Sequence, residues 1–175
     1  MGTSKQINCL IIKKMKKKIL YLDIDGVVAD FDKAMLELCP EMEFLKNTGP
    51  EDRSQKVDEI VKSNPLIFEE LPPFEGSVEA VNKLFEIYEV YFLSTPMWDI
   101  PESFMGKRLW LEKYFGNQCR KKLILTHRKD LVHGDYLVDD RLKNGAKEFK
   151  GFHLHFGTET FPSWVETLNF LVINK

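Results

Sequence analysis

The chain has 175 residues, 43% of them hydrophobic, and a formal net charge of -2. A chain of this length can bury one core and carry a small appended unit. The nearly neutral charge gives no general attraction to a nucleic acid polymer or a membrane surface. Cys9, Cys39 and Cys119 are odd in number and widely spaced, which argues against a disulfide framework and a zinc site and favours a reducing, cytoplasmic setting.

Residues 1–17 are predicted to form a basic N-terminal extension. The apolar patch at 9–12 is too short for the core of a signal peptide, and the lysines that follow it lie on the wrong side. No apolar run in the chain is long enough to span a bilayer. We therefore expect no membrane association and assign the extension no function.

The first predicted strand, residues 19–22, ends abruptly in carboxylates. Its apolar run is typical of a buried strand, and Asp23 and Asp25 follow it. Because these residues are two apart, both side chains project to the same side if the chain stays extended. Gly26 then permits a sharp turn. Ligands of open α/β sheets bind beyond the carboxyl ends of strands, so this pattern predicts an active site here.

The segment 33–73 is predicted to be a small helical cap inserted after the first strand. Residues 34–38 have a helical pattern, and the polar stretch 51–63 has only sparse apolar positions. No strand pattern occurs between the two, and prolines close the segment. The core would then consist of residues 18–32 and 74–175.

Helices and strands alternate after the cap. Ser77 is expected to cap a helix that runs to Tyr88, and a second helix is expected to end at Gly116. Ser163 would open the last helix through a capping box with Glu166. The predicted strands are residues 90–94, 123–126, 136–138 and, more weakly, 151–156. This order predicts an α/β, Rossmann-like three-layer core with a mostly parallel sheet and helices on both faces.

Polar side chains follow the ends of successive strands. In chain order they are Asp23 and Asp25, Ser94 and Thr95, Lys129, and Asp139 and Asp140. In a parallel sheet all of them gather at one edge. Four carboxylates would repel one another there without a cation, and hard oxygen ligands suit Mg²⁺. A hydroxyl and a lysine beside magnesium suit a phosphoryl group, whose transfer requires neutralised oxygens.

These motifs, in this order, resemble the four motifs of the haloacid-dehalogenase (HAD) superfamily of phosphatases. The stretches 23–31, 71–76, 107–116 and 137–141 also resemble the 5'(3')-deoxyribonucleotidase family. The likeness extends over about residues 18 to 170 and is weakest in the cap. It implies a Mg²⁺-dependent phosphomonoesterase that acts through an aspartyl-phosphate, with (deoxy)ribonucleoside monophosphates as the expected substrates.

The resemblance also implies catalytic and metal-binding roles. Asp23 would be the nucleophile, and Asp25 would protonate the leaving oxygen and then take a proton from water. Magnesium would be held by the Asp23 carboxylate, the Asp25 backbone carbonyl and Asp140, with Asp139 nearby.

Four residues are implied to bind the phosphate. Ser94 would hydrogen-bond a phosphoryl oxygen, and Lys129 would balance the charge of the phosphoryl group and the nucleophile. Thr95 and Lys107 could also reach the phosphate, although Lys107 is equally well explained as a solvated helix residue. His127 stands where relatives often have arginine, which leaves the phosphate contacts there open.

Three phenylalanines, Phe31, Phe44 and Phe68, are predicted to offer apolar faces on which a base could stack, and membership of the hydrophobic core is the alternative for each of them. The cap would act as a lid that excludes water and leaves space for a small leaving group. Without an overall basic charge, the chain lacks the usual attraction to a polyanion. We therefore expect a small phosphomonoester as the substrate, and no nucleic acid polymer.

Simpler structural roles and other functions remain open. Asp30 and Asp32 are expected to cap the helix that follows, and His153 and His155 to be ordinary sheet residues rather than a metal pair. Within the superfamily, a sugar-phosphate phosphatase or a phosphomutase shares the core motifs. A phospho-receiver signalling domain also clusters aspartates, a hydroxyl and a lysine at strand ends, and a non-catalytic nucleotide-binding module is a further alternative.

Overall fold

A computed structural model describes residues 16–45 and 50–175 of the chain. Within them, five strands form one parallel sheet in the order β3-β2-β1-β4-β5. The strands are β1 (Ile19–Leu22), β2 (Glu89–Ser94), β3 (Leu123–Leu125), β4 (Tyr136–Asp139) and β5 (Phe152–His155). The predicted α/β, Rossmann-like core is confirmed. Because the strand order reverses beside β1, a ligand is expected at the carboxyl ends of β1 and β4.

The described residues also contain seven α-helices. They are α1 (Phe31–Leu38), α2 (Met42–Leu45), α3 (Pro50–Ser63), α4 (Ile67–Glu70), α5 (Ser77–Ile87), α6 (Pro101–Phe115) and α7 (Trp164–Ile173). None of these helices is long and apolar enough to cross a membrane. Residues 1–15 of the predicted N-terminal extension and residues 46–49 of the predicted cap lie outside the described part.

Side chains of β1 alternate between two hydrophobic clusters, as the two-residue period of a strand requires. Leu20 and Leu22 lie in the larger cluster, together with buried residues of α5, α6 and α7. Tyr21 lies in a smaller cluster with Leu137 and Phe149. Turns within residues 141–150, rather than one of the described helices, contribute to the cover of this second face. The expectation of helices on both faces is therefore met on one face only.

Two helix starts use their serines differently. The predicted cap at Ser77 is wrong, because Gly76, with a φ of 74°, precedes α5. Glycine adopts this left-handed conformation without the steric cost of a side chain. The Ser77 hydroxyl instead donates a hydrogen bond to the Val28 carbonyl oxygen at 2.8 Å. Ser163 caps α7 as predicted, since its hydroxyl accepts from the backbone N–H of Val165 at 3.0 Å.

The segment between β1 and α5 contains only helices among its regular described elements, and the first of them begins slightly earlier than predicted, at Phe31. It is anchored to α6, because the indole N–H of Trp110 donates to the Leu71 carbonyl oxygen at 2.7 Å. Val61 of α3 also shares the large hydrophobic cluster with Leu22 of β1. Since both regions share one cluster, the boundary between cap and core stays a prediction from the chain path.

Candidate active site

The carboxyl ends of β1 and β4 bring two aspartates to the same edge of the sheet. Leu22 pairs in register with Val138, and the backbone N–H of Asp23 donates to the Val138 carbonyl oxygen at 2.9 Å. Asp139 is the next residue of β4. Asp23 is 7% exposed and Asp139 is 1% exposed, so their charges must be balanced by nearby groups rather than by water.

Lys129 supplies a buried positive charge between these aspartates. Its ammonium lies 2.9 Å from Asp23 Oδ2 and forms a second ion pair with Asp139 Oδ2. The other oxygen of Asp139 accepts a hydrogen bond from the N–H of Arg141 at 2.9 Å. The backbone N–H of Lys129 donates to the Asn144 carbonyl oxygen at 2.8 Å, which fixes the lysine beyond the end of β3.

Burial and the neighbouring charges have opposite effects on the pKa of Asp23. Burial raises its pKa, but the charges of Lys129 and Lys107 and hydrogen bonds from Lys129 and Ser94 outweigh that effect, so the net pKa lies below the usual value. Burial lowers the pKa of Lys129, but the neighbouring carboxylates raise it above its ordinary value. Asp23 is therefore ionised at neutral pH, as a carboxylate nucleophile must be.

The two carboxyl groups at the end of β4 differ from Asp23, because their pKa values are raised. Burial and the charge of Asp23 raise the pKa of Asp139 to about 6. Burial also raises the pKa of Asp140 to about 7, against the opposing charge of Arg141. Asp140 Oδ1 is buried and has no hydrogen-bond partner among the described residues. Ligand atoms of Asp23, Asp139 and Asp140 lie within 4.8 Å of one another, which is the arrangement that a bound cation would stabilise.

The turn after β1 allows Asp140 to approach the backbone closely. Gly26 has a φ of 79°, and a Cβ at this position would lie 2.5 Å from Asp140 Oδ2. Any other residue would therefore be strained in its backbone and blocked in its side chain. The sequence predicted the turn, whereas the close approach of Asp140 depends on the packing of β4 beside β1.

Asp25 is held by a lysine from α6. Lys107 is only 1% exposed, and its ammonium forms an ion pair with Asp25 Oδ2. Asp25 Oδ1 is buried and has no hydrogen-bond partner within the described residues. The burial shows that the solvated interpretation of Lys107 is wrong. A contact between Lys107 and a phosphate stays a prediction.

The two hydroxyl groups at the end of β2 have different partners. Ser94 is buried, and its hydroxyl lies close enough to Asp23 to help lower the pKa of that carboxyl group. The Thr95 hydroxyl donates to the Thr126 carbonyl oxygen at 2.9 Å, which joins the ends of β2 and β3. Both residues line the same small cavity as Asp23 and Lys129. Their contacts with a phosphoryl group stay predictions.

Two adjoining cavities open at this edge of the sheet. The smaller, of about 180 Å³, is lined by Asp23, Asp25, Ser94, Lys129 and Asp139, among others. The larger, of about 480 Å³, extends toward the cap and is lined by Phe31, Arg53, Val57, Phe68 and Asp140, among others. Both include Asp25, Thr95, Met97, Arg141 and Lys143. A cavity of about 630 Å³ near the end of α6 contains none of the predicted site residues.

The structure brings two of the three predicted substrate phenylalanines to the larger of these cavities. Phe31 and Phe68 line it and stack on each other, with ring centroids 6.1 Å apart. Phe68 is only 1% exposed, so its ring is largely engaged in packing. Phe44 lies on α2, is 76% exposed, and is not among the described residues that line the cavity.

Sequence reasoning missed three cations that line the cavities: Arg53, Arg141 and Lys143. Arg141 directly follows the aspartate pair and approaches Asp140 at 3.5 Å, so its place after a strand end was a usable signal. Arg53 pairs with Asp32 at 2.6 Å. No sequence signal marked Arg53, because only the folding of α3 over the site brings it there.

The two aspartates just after the site motif have separate roles. Asp30 caps α1 as predicted, since its side chain accepts from the backbone N–H of Lys33 at 3.0 Å. The same expectation for Asp32 is wrong, because Asp32 lies in the first turn of α1 and pairs with Arg53.

His127 and Arg128 contact neighbours outside the aspartate cluster. The His127 ring lies 5.8 Å from the exposed ring of Trp98. Arg128 forms two hydrogen bonds with Asp130, at 2.6 Å and 2.8 Å. Neither residue lines the cavity that contains Asp23.

His153 and His155 stack on one face of β5, with ring centroids 5.6 Å apart. Their Nε2 atoms lie 3.2 Å from the Asp139 carbonyl oxygen and 3.0 Å from the Asp140 carbonyl oxygen. A ring nitrogen that bonds to a carbonyl must carry its proton, so these atoms are not free to bind a metal. The expectation of ordinary sheet residues agrees with this geometry.

Solved structures with a similar architecture define the class of fold. A HAD-superfamily hydrolase from Geobacter sulfurreducens aligns with a TM-score of 0.54 and 13% identity, covering 89% of this chain and 96% of that one. A Bacillus subtilis protein, provisionally called a HAD hydrolase and solved with bound magnesium, aligns with a TM-score of 0.53 and 12% identity, covering 85% and 90%. The fold is that of the HAD hydrolases.

Comparison with known sequences identifies the family within this fold. A family model described as 5' nucleotidase, deoxy (pyrimidine), cytosolic type C protein matches residues 17–162. A protein of Vibrio phage KVP40, provisionally named a 5'(3')-deoxyribonucleotidase, is 42% identical over 159 residues, covering 91% of this chain and 87% of the phage protein. The mitochondrial 5'(3')-deoxyribonucleotidase of Homo sapiens is 30% identical over 169 residues, covering 84% and 68%. The chain belongs to this cytosolic type C 5'-nucleotidase family and is a phosphomonoester hydrolase.

Proposed function

We propose that this protein is a magnesium-dependent deoxyribonucleotidase, which releases phosphate from small nucleoside monophosphates through an aspartyl-phosphate on Asp23. The observation that carries the proposal is the pair of carboxylates at the end of β1. Asp23 is ionised and buried beside Lys129. Asp25 lines the same cavity and keeps Oδ1 without a partner in the described residues. The names of the relatives from phage KVP40 and Homo sapiens support the substrate class.

The residues at the end of β4 fit a magnesium ion. Asp140 offers a buried oxygen without a partner among the described residues, and it lies close to the Asp23 carboxylate. These two side chains and the Asp25 backbone carbonyl would hold the ion. Asp139 would lie nearby and orient the site, because both of its oxygens already have partners. When bound, magnesium supplies positive charge that neutralises phosphoryl oxygens.

The residues support two successive displacements at phosphorus. In the first, an Asp23 carboxylate oxygen attacks phosphorus, the bond to the ester oxygen breaks, and Asp25 donates a proton to that oxygen so that the nucleoside leaves as an alcohol. In the second, water attacks the same phosphorus, Asp25 accepts a proton from the water, and inorganic phosphate leaves with Asp23 restored. Lys129 stays protonated beside Asp23 and offsets the negative charge of the phosphoryl group.

The cavity of about 480 Å³ supports a nucleoside as the leaving group. Its volume lies within the usual range for small-molecule sites, about 300–1,000 Å³. Phe31 is 7% exposed and stacks on Phe68, but its ring also lines this cavity, where it would contact a base. The cap closes this space on one side, which limits the leaving group to a small molecule.

A phosphatase screen with and without Mg²⁺ tests the proposal, with deoxyribonucleoside, ribonucleoside and sugar monophosphates as substrates. We expect magnesium-dependent phosphate release from nucleoside monophosphates, with loss of activity in Asp23→Asn, which preserves the shape of the side chain. Full activity in excess chelator would exclude the metal assignment. Faster hydrolysis of a sugar phosphate than of any nucleotide would favour the sugar-phosphate phosphatase instead.

The covalent step has its own test. Asp25→Ala should form an aspartyl-phosphate from 4-nitrophenyl phosphate, whose good leaving group needs little protonation, and then hydrolyse it slowly. Acid quenching and mass spectrometry should find one phosphoryl group on the peptide that contains Asp23. A phosphoryl group on any other residue would contradict the assignment of the nucleophile.

A further inference from the structure

Helix α6 meets the cap helix α4 at a close contact between Gly106 and Phe68. A Cβ on Gly106 would lie 2.7 Å from the Phe68 Cβ, closer than real Cβ atoms approach, and 3.2 Å from the Phe68 carbonyl carbon, which is a tight contact. About one turn further along α6, the buried indole of Trp110 donates to the Leu71 carbonyl oxygen. These contacts hold α6 firmly against the end of the cap.

Lys107, the residue after Gly106, places a buried positive charge beside the active site. The Lys107 ammonium lies 5.0 Å from the centroid of the Phe68 ring and pairs with Asp25 Oδ2. Phe68 also stacks on Phe31, with 21° between the ring planes. Attraction between a cation and an aromatic face strengthens when the pair is removed from water, and Lys107 is almost fully buried.

A lysine needs such support because its long, flexible side chain can adopt many positions. Asp25 depends on Lys107 in turn, since Oδ2 is bonded to the ammonium while Oδ1 has no partner in the described part of the chain. The ion pair therefore sets the direction of the carboxylate and leaves Oδ1 for a substrate oxygen or a water.

We propose that Phe68 is a positioning residue, whose ring holds Lys107 against Asp25 so that cap helix α4 sets the position of the proton-transfer group. This inference rests on the proposed function, because it assumes that Asp25 transfers the proton to the leaving oxygen. It gives the cap a role in the chemical step as well as in substrate selection. It also gives the buried ring of Phe68 a role that does not require contact with a base.

The expected consequence is specific to proton transfer. An acid must lie within about 2.6–3.2 Å of the oxygen that it protonates, and a misplacement of about 1 Å can reduce a rate about 10²-fold. Without the ring, Lys107 and Asp25 lose their defined positions. Esters whose leaving groups need protonation should then suffer more than esters whose leaving groups do not.

The test compares phenyl phosphate with 4-nitrophenyl phosphate, two esters of similar size that contain no base. Phenol is the poorer leaving group and depends more on the acid. In Phe68→Leu, kcat/KM for phenyl phosphate should fall by about tenfold or more, and that for 4-nitrophenyl phosphate by less than about threefold. The value of kcat/KM reports only the steps through cleavage of the ester bond, so hydrolysis of the aspartyl-phosphate does not affect the comparison.

Three controls accompany this variant. Both esters are measured on one preparation, so their ratio does not depend on the fraction of folded enzyme, and Phe68→Met replaces Phe68→Leu if that variant does not fold. Val61→Ala removes fully buried apolar groups from α3 of the cap and should keep the parental ratio. Lys107→Met should reproduce the selective loss, and adding Phe68→Leu to it should not change the ratio further, because the ring acts through Lys107.

Equal losses on the two esters in Phe68→Leu, or a further change of the ratio in the double variant, would overturn the positioning role. The proposed function fails separately. It fails if the parent hydrolyses neither ester, or if Asp25→Ala does not discriminate between them. If Asp25→Ala discriminates and Phe68→Leu does not, only the role of Phe68 is wrong.

Discussion

The strand-end cluster and the cap differ in how far their ion pairs are buried. The strand-end cluster consists of Asp23, Ser94, Lys129, Asp139 and Asp140. Within it, the buried charge of Lys129 is paired with the buried carboxylates of Asp23 and Asp139. The cap meets the site mainly through stacked rings and the partly exposed ion pair of α3 with α1. Removing one partner of a buried pair leaves an uncompensated charge and is costly, whereas an exposed ion pair contributes little.

Because of this difference, we expect the strand-end cluster to carry out the reaction at phosphorus and the cap to select the substrate. Changes in the strand-end cluster should abolish turnover of every phosphate ester, because all esters present the same phosphoryl group. Changes in the cap should alter which ester reacts and how well its leaving group is protonated. Lys107 joins the two regions, because it belongs to α6, lies over a ring of the cap and pairs with Asp25 of the site.

The largest expected effect is that of Asp23→Asn. An amide cannot form the aspartyl-phosphate, so kcat should fall by about 10⁴-fold or more on every ester. Steady-state phosphate release with a nucleotide and with 4-nitrophenyl phosphate measures this. Parental turnover on either ester would contradict the covalent mechanism.

Asp25→Ala should reduce kcat by about 10²–10⁴-fold, the usual contribution of a general acid and base. Binding of inorganic phosphate and Mg²⁺, measured by calorimetry, should persist. Asp30→Ala is the matched control, because Asp30 caps α1 and should cost about 1 kcal/mol of stability with little change in kcat. A similar kcat in the two variants would contradict the assignment of Asp25 as the general acid and base.

In the cap, Phe31→Ala should lower kcat/KM for a nucleoside monophosphate about 5- to 150-fold, because base stacking contributes about 1–3 kcal/mol. Hydrolysis of 4-nitrophenyl phosphate should change much less. Phe44→Ala is the control, because it makes the same substitution at another position of the cap. We expect no selective effect, since Phe44 is 76% exposed. A selective loss in Phe44→Ala that equals the loss in Phe31→Ala would show that α2 closes over the substrate.

The smallest effect concerns stability and pH. The pKa of Asp140 is about 7 in the folded protein, above the usual 3.8, so the unfolded chain releases this proton at lower pH than the folded protein does. The metal-free protein should therefore lose stability as the pH rises from about 4 to 7. Bound Mg²⁺ opposes this loss, so its stabilisation should be greater at about pH 7.5 than at about pH 5.5.

Thermal unfolding with and without Mg²⁺ measures this dependence, since each kcal/mol shifts the Tm of a chain of this size by about 2–4 °C. Asp140→Asn should show a smaller Mg²⁺ effect at both pH values. An equal Tm shift by Mg²⁺ at the two pH values in the parent would contradict the assignment of Asp140 as a metal ligand.

The alternation of strands and helices was sufficient to predict the parallel sheet and the edge at which Asp23, Ser94, Lys129 and Asp139 meet. Helix caps were less predictable. Ser77 has the residue type of a cap, yet its hydroxyl bonds to Val28, because a position inside the helix and beside the β1 turn offers a better partner. Phe44 has the type of a stacking residue, yet the path of α2 leaves it exposed.

By itself, the sequence determined the class of the fold, the order of the site motifs and the family of the protein. These follow from local patterns, because each strand carries its polar residues at its own carboxyl end and parallel strands align those ends. Only the tertiary structure decided which cation faces which carboxylate. Lys107 and Asp25 lie 82 positions apart in the chain. Their contact depends on how α6 packs against α4, and no local pattern encodes that packing.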